Sequence, residues 1–90
     1  MPKIEKEIIV LNKQGLHARP AAMFVQIANK FDSKIVVQKD GESVNGKSIM
    51  GILMLGAQQG SKIKITIDGQ DCQETMLELE NFLKQEDFHG

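Results

Sequence analysis

The chain has 90 residues and a formal net charge of −1, with 11 lysines and arginines against 12 aspartates and glutamates. This length allows one domain, spanning residues 1–90, with a small hydrophobic core, and the balanced charge argues against nucleic acid or an anionic membrane as a partner. The single cysteine, Cys72, excludes an internal disulfide and a multi-cysteine metal cluster, so we expect a cytoplasmic protein with a buried thiol and no bound metal or cofactor.

Hydrophobic periodicity predicts seven elements in the order βαββαβα. Alternating or β-branched runs predict four strands, at residues 4–11, 35–38, 42–44 and 61–68. Apolar residues at helical spacing predict three helices, at about residues 18–30, 48–55 and 71–84. Asp71 with Glu74 suggests a capping box at the start of the third helix, and residues 87–90 suggest a frayed tail. Because three helices must cover one face of a single small sheet, the sequence predicts an α+β fold with an antiparallel sheet.

Residues 15–22 place a histidine and an arginine at the predicted start of the first helix. Pro20 is tolerated only in a helix's first turn, so His17 takes the N-cap position. The unpaired N–H groups of a helix N-terminus form an anion site, and an imidazole offers a ring nitrogen as nucleophile. Arg19 can place its planar guanidinium against two oxygens of a phosphoryl group. His17 is therefore a candidate phosphohistidine, although a solvated cap histidine without chemistry fits the same position.

Residues 41–48 also satisfy the P-loop pattern G-x-x-x-x-G-K-[ST]. A P-loop operates in a parallel α/β sheet with a second acidic strand end for magnesium, whereas Gly41 is predicted to lie in the turn of a tight hairpin. Nucleotide hydrolysis is therefore rejected. A conventional hydrolase is also disfavoured, because paired carboxylates, a His/Cys metal spacing and a Gly-x-Ser-x-Gly elbow do not accompany His17, and His89 is expected on the surface.

Two motifs resemble those of the HPr family, the phosphocarriers of the bacterial phosphotransferase system. Gly-Leu-His-Ala-Arg-Pro-Ala, at residues 15–21, resembles the active-site signature, and Val-Asn-Gly-Lys-Ser-Ile-Met-Gly-Ile-Leu, at residues 44–53, resembles the regulatory-serine motif. They follow the family's order and spacing, and the resemblance covers residues 4–84. It implies an open-faced β-sandwich, in which a four-stranded antiparallel sheet carries three helices on one face.

The resemblance implies a monomeric phosphoryl carrier that is not an enzyme. His17 would accept a phosphoryl group on its pros nitrogen from Enzyme I, which draws it from phosphoenolpyruvate, and pass it to an Enzyme IIA-type acceptor. Arg19 would stabilise the phosphoryl group. The alternative is a regulatory HPr-like domain without carrier activity; relatives of that kind lose the histidine and keep the serine, whereas this chain has both.

The second motif implies regulation and partner docking. Ser48 would be phosphorylated by an HPr kinase/phosphorylase where the source organism has one, although serine is also a preferred helix N-cap. Partners would dock at Ile49, Met50 and Leu53. Periodicity predicts that Ile49 and Met50 are exposed, because a short helix cannot turn all its apolar residues inward. For Leu53 it does not decide between the core and the surface. Gly46 stands where many relatives carry a bulkier residue, which predicts a looser start to the second helix.

Overall fold

The computed structural model describes residues 2–86 and contains seven elements in the predicted order. The strands are β1 (Lys3–Ile9), β2 (Lys34–Lys39), β3 (Glu42–Asn45) and β4 (Lys62–Asp68). The helices are α1 (Ala18–Ala28), α2 (Ile49–Leu55) and α3 (Cys72–Leu83). The predicted tail and His89 lie outside the described residues.

One antiparallel sheet with the strand order β1-β4-β2-β3 forms the base of the fold. Its register places Ile67 of β4 between Ile4 of β1 and Ile35 of β2, so apolar side chains line up across one face. The β2–β3 turn at Asp40 and Gly41 has positive φ at both residues, 50° and 85°, as a tight two-residue hairpin turn requires. The predicted α+β fold with an antiparallel sheet is confirmed.

The core lies between the inner face of this sheet and the helices. In β4 the isoleucines at 63, 65 and 67 are buried, while Lys62 is exposed and Lys64 and Thr66 are half-buried, which is the alternation expected of a sheet with one solvated face. The buried face of α3 contributes Cys72, as predicted, together with Met76 and Leu79. Within residues 2–86, the helices are all too short or too polar to cross a bilayer.

The predicted capping box at α3 is wrong. Asp71 occupies the N-cap but its side chain makes no capping hydrogen bond. Its carboxylate instead accepts hydrogen bonds from the backbone N–H of Asp32, at 2.9 Å, and from the N–H and hydroxyl of Ser33. The Ser33 hydroxyl is the main cause that lowers the pKa of Asp71, and the N–H of Asp32 adds to it. Asp71 therefore ties the loop between α1 and β2 to the start of α3.

The expected looseness around Gly46 is also wrong. The N–H of Gly46 donates to the carbonyl oxygen of Ile35 at 2.8 Å. A Cβ built on Gly46 would collide with Cγ2 of Ile35. The glycine therefore allows close contact between the segment before α2 and strand β2, and the start of the helix is tightly fixed.

Candidate functional site

His17 lies at the N-cap of α1, as predicted. Its backbone is extended, with φ −120° and ψ 159°, and its side chain makes no capping hydrogen bond. The residue is half-buried, and Pro20 lies in the first turn of the helix, where its missing N–H breaks no bond. The imidazole is therefore not used to satisfy the helix and is available for chemistry.

Ala18, the residue after His17, has a φ of +48°. This value lies in the left-handed region that residues with a Cβ rarely occupy, and such residues persist only where surrounding contacts impose them, at a cost of about 1–3 kcal/mol. The backbone beside the candidate nucleophile therefore adopts an unfavourable conformation. No residue pattern in the sequence indicates this feature.

The loop before His17 is fixed by hydrogen bonds to itself and to the segment after α2. The side chain of Asn12, which is buried, donates to the carbonyl of Gly15 at 3.1 Å, and the N–H of Gly15 donates back to the carbonyl of Asn12 at 3.0 Å. The N–H of Leu16 donates to the carbonyl of Ala57 at 2.8 Å. The position of His17 is thus tied to the end of α2, a link that spacing along the chain does not predict.

Arg19 is the second residue of α1 and its side chain is exposed. Within residues 2–86 it makes no hydrogen bond or ion pair, and the first turn of α1 contains no acidic residue. The positive end of the helix dipole and the guanidinium therefore face no competing carboxylate on this turn. A helix N-terminus and a guanidinium are both groups that favour an anion such as a phosphoryl group.

Ser48 is the N-cap of α2. Its Oγ accepts a hydrogen bond from the N–H of Gly51 at 3.1 Å, so the capping role considered from the sequence is confirmed. The preceding Lys47 donates from Nζ to the carbonyl of Phe31 at 2.6 Å and accepts at its own carbonyl from the side chain of Asn29 at 3.3 Å. These bonds fix the start of α2 against the segment that follows α1.

The exposed face of α2 carries four apolar side chains, which we call the α2 patch: Ile49 (43% exposed), Met50 (64%), Leu53 (37%) and Met54 (74%). Ile52 and Leu55 point into the core, so the predicted exposure of Ile49 and Met50 is confirmed and Leu53 is resolved as exposed. Sequence reasoning missed Met54. Its position four residues after Met50 could have indicated it, because such residues share one side of a helix.

The P-loop pattern does not form a P-loop. Gly41 lies in the β2–β3 turn, residues 42–45 form strand β3, and Ser48 caps α2. The sheet formed by the described strands is antiparallel, so the parallel frame that a P-loop needs is not what these residues build. The rejection of nucleotide hydrolysis therefore agrees with the structure of this segment.

Comparisons with known proteins identify relatives along nearly the whole chain. The family model for the "PTS HPr component phosphorylation site" matches residues 4–85. The HPr-like protein Crh of Halalkalibacterium halodurans is 49% identical over 83 residues, covering 92% of this chain and 99% of that protein. The phosphocarrier protein HPr of Xylella fastidiosa is 50% identical over 68 residues, 76% of each chain. The crystal structure of the phosphocarrier protein HPr from Bacillus anthracis matches with a TM-score of 0.89 and 46% identity, covering 91% of this chain and 98% of that one.

A further structural relative bears on the oligomeric state. The crystal structure of Crh from Bacillus subtilis matches with a TM-score of 0.74 and 40% identity, covering 96% of this chain and 99% of that one, and is described as a dimer with a swapping domain. The prediction of a monomer conflicts with this relative. The similar proteins therefore include both phosphocarriers and HPr-like proteins, and both are compatible with the fold described above.

Proposed function

The chain belongs to the HPr family of the phosphotransferase system, and on that premise we propose that His17 accepts a phosphoryl group from Enzyme I and passes it to an Enzyme IIA-type acceptor. The phosphocarriers of this family are not catalysts. The observation that carries the proposal is an imidazole at a helix N-cap that makes no capping bond, beside the exposed Arg19. We place this relay in the cytoplasm.

In the transfer step, the lone pair of the pros nitrogen (Nδ1) of His17 attacks phosphorus. A P–N bond forms while the bond from phosphorus to the donor atom of Enzyme I breaks, and the second transfer reverses these roles. The negative charge on the equatorial oxygens is spread onto Arg19 and the N–H groups of the first turn of α1. A carrier must keep its phosphoramidate reactive, so the stabilisation should stay at a few kcal/mol at most, as expected for exposed groups.

Incubation of the full chain with Enzyme I and phosphoenolpyruvate tests the proposal. We expect an acid-labile adduct of about 80 Da, the mass of one phosphoryl group, in the parent and none in His17→Ala. Because the His17 side chain makes no capping bond, the variant should keep the parental melting curve, which makes it a clean control. An acid-stable adduct, or no adduct on the parent, would refute the carrier function.

We further assign docking of Enzyme I to the α2 patch. The hydrogen bond from Leu16 to Ala57 supports this assignment, because it ties the residue before His17 to the segment that follows the helix carrying the patch. Met50→Glu introduces a charge that must lose its water on docking, so we expect at least about tenfold weaker binding, about 1.4 kcal/mol. Leu77→Glu is the matched control, because Leu77 is a similarly exposed apolar residue on α3, at 59%. Equal effects of the two variants, or unfolding of Met50→Glu, would contradict the assignment.

We also propose that Ser48 is a regulatory site, which an HPr kinase/phosphorylase phosphorylates where the organism has one. A phosphate there adds nearly two negative charges at the N-terminus of α2, where the helix dipole tolerates them. Those charges lie beside Ile49 and Met50, so they oppose desolvation of the α2 patch and weaken docking. We expect Ser48→Asp to raise the KM for Enzyme I with a native melting curve, and Ser48→Ala to transfer normally with a cap loss of about 1 kcal/mol. If Ser48→Asp transferred the phosphoryl group as fast as the parent and bound Enzyme I equally well, Ser48 would be a helix cap only.

A second candidate is a regulatory domain without carrier activity in sugar transport. The similarity to Crh of Halalkalibacterium halodurans, at 49% identity, favours this reading. The two candidates differ at His17, because only the carrier requires transfer through its ring. A chain that accepts phosphate at Ser48 but none at His17 from Enzyme I would support the regulatory domain.

A further inference from the structure

The α2 patch holds the two most exposed large apolar side chains among residues 2–86, and both are methionines: Met54 at 74% and Met50 at 64%. We propose that Met50 and Met54 form an oxidation-sensitive site, and that their conversion to sulfoxides blocks docking of Enzyme I. This inference rests on the proposed function, which supplies the partner. It assigns the patch a second property, a reversible response to peroxide.

The other described methionines are less exposed than Met50 and Met54. Met76 on α3 is 2% exposed within the core, and Met23 on α1 is half-buried and packs against the core. Met50 and Met54 are four residues apart, so their thioethers lie on adjacent turns of one side of α2. Oxidation of methionine follows exposure, so an oxidant in solution reaches this pair first.

The chemistry needs a peroxide as its oxidant and no group from the protein. The thioether sulfur attacks one peroxide oxygen, the O–O bond breaks, and the products are a sulfoxide and water when the peroxide is hydrogen peroxide. The sulfur is oxidised by two electrons and the peroxide is reduced by two. Methionine sulfoxide reductases return the thioether.

A sulfoxide changes docking without changing the fold. In the free protein each new oxygen stays in water, because both side chains are exposed, while Ile52 and Leu55 keep α2 anchored in the core. Docking would remove that water. The neighbouring members of the patch, Ile49 and Leu53, have hydrocarbon side chains and offer no donor, so the sulfoxides would be buried without hydrogen bonds unless the partner supplies them.

The test compares the full-length parent with the double variant Met50→Leu/Met54→Leu, which keeps apolar side chains of similar size and removes both sulfurs. Each protein is treated with hydrogen peroxide, mapped by peptide mass spectrometry, and assayed for Enzyme I binding and His17 phosphorylation. We expect oxygen at Met50 and Met54 before Met76, and at least about tenfold weaker binding by the oxidised parent, about 1.4 kcal/mol. Each treated protein is compared with its own untreated sample: peroxide should not change the affinity that the untreated double variant has, and a sulfoxide reductase should restore the parent.

Buried Cys72 is present in both proteins, so its oxidation would affect them equally. Full conversion of Met50 and Met54 with unchanged binding would overturn the inference, as would an equal loss in the treated double variant. An untreated parent that neither binds Enzyme I nor accepts phosphate would overturn the proposed function and the docking effect with it. That result is distinct from an active parent whose oxidised form is equally active.

Discussion

Replacing Gly15 with alanine tests how the loop before His17 is held. Gly15 has a φ of +65°, and an added Cβ would lie 2.5 Å from the carbonyl oxygen of Ala57 and 2.8 Å from the Cα of Gln58. Both neighbours are backbone atoms, so rotation of a side chain cannot relieve the contact. Gly56 provides a matched control, because it has the same φ of +65° and an added Cβ there would meet nothing within 4 Å.

Both variants place a residue with a Cβ in the left-handed conformation, but only Gly15→Ala also creates a steric overlap. The left-handed conformation costs a residue with a Cβ about 1–2 kcal/mol, and the reduced freedom of the unfolded chain returns about 0.4–1 kcal/mol. We therefore expect Gly56→Ala to lower the free energy of unfolding by about 1 kcal/mol. Gly15→Ala adds overpacking worth about 1–3 kcal/mol, so its loss should reach about 2–4 kcal/mol.

Urea unfolding of both variants measures these losses, and phosphorylation by Enzyme I at a temperature where both are folded measures the effect on the site. Relief of the clash must separate Gly15 from the segment after α2, which moves His17, so we expect Gly15→Ala to slow transfer by at least about tenfold. Equal destabilisation by the two substitutions, or full transfer by Gly15→Ala, would show that the close backbone contact does not position His17.

Three further variants test other contacts. Arg19→Lys keeps the charge but loses the planar guanidinium, so transfer should slow by about tenfold or more while the melting temperature stays unchanged. If the variant lost stability as well as transfer, Arg19 would have a structural role. Asp71→Asn weakens the bonds to Ser33. Because the pKa of Asp71 is lowered below its ordinary value of 3.8, the ionised carboxylate stabilises the fold at pH values above 3.8. This contribution is lost as the pH falls through the pKa of the folded state. The stability gap between parent and variant, followed by thermal unfolding from pH 7 downward, should therefore narrow in acid, and a constant gap would contradict this. Gly46→Ala should destabilise by about 1–3 kcal/mol, and this loss should be smaller in an Ile35→Ala background, which lacks the colliding Cγ2. Purely additive losses in urea unfolding would show that the two residues do not collide.

The order of elements and the exposed face of α2 could be predicted because they depend on local pattern. Strand β4 alternates isoleucine with polar residues, and α2 is too short to bury every apolar side chain it carries. The bonds of Asp71 could not be predicted from capping rules, since its carboxylate binds Ser33, 38 residues away in the chain. The positive φ of Ala18 and the contact between Gly46 and Ile35 also depend on tertiary neighbours, which neither composition nor periodicity describes.

The contacts between α1 and α2 indicate how the proposed phosphate on Ser48 would affect transfer at His17. The segment before α1 is bonded to Ala57, after α2, while Lys47, before α2, is bonded to Phe31, after α1. The two helices are therefore antiparallel neighbours, with His17 beside the end of α2 and Ser48 at its beginning. The seven residues of α2 rise by about 10 Å along the helix axis, about one Debye length at 0.1 M ionic strength, so salt weakens direct repulsion between charges at its two ends. The α2 patch spans this interval. We therefore expect the proposed phosphate on Ser48 to act on the surface that Enzyme I would desolvate, so that it raises the KM for Enzyme I and leaves the rate of the bound complex unchanged.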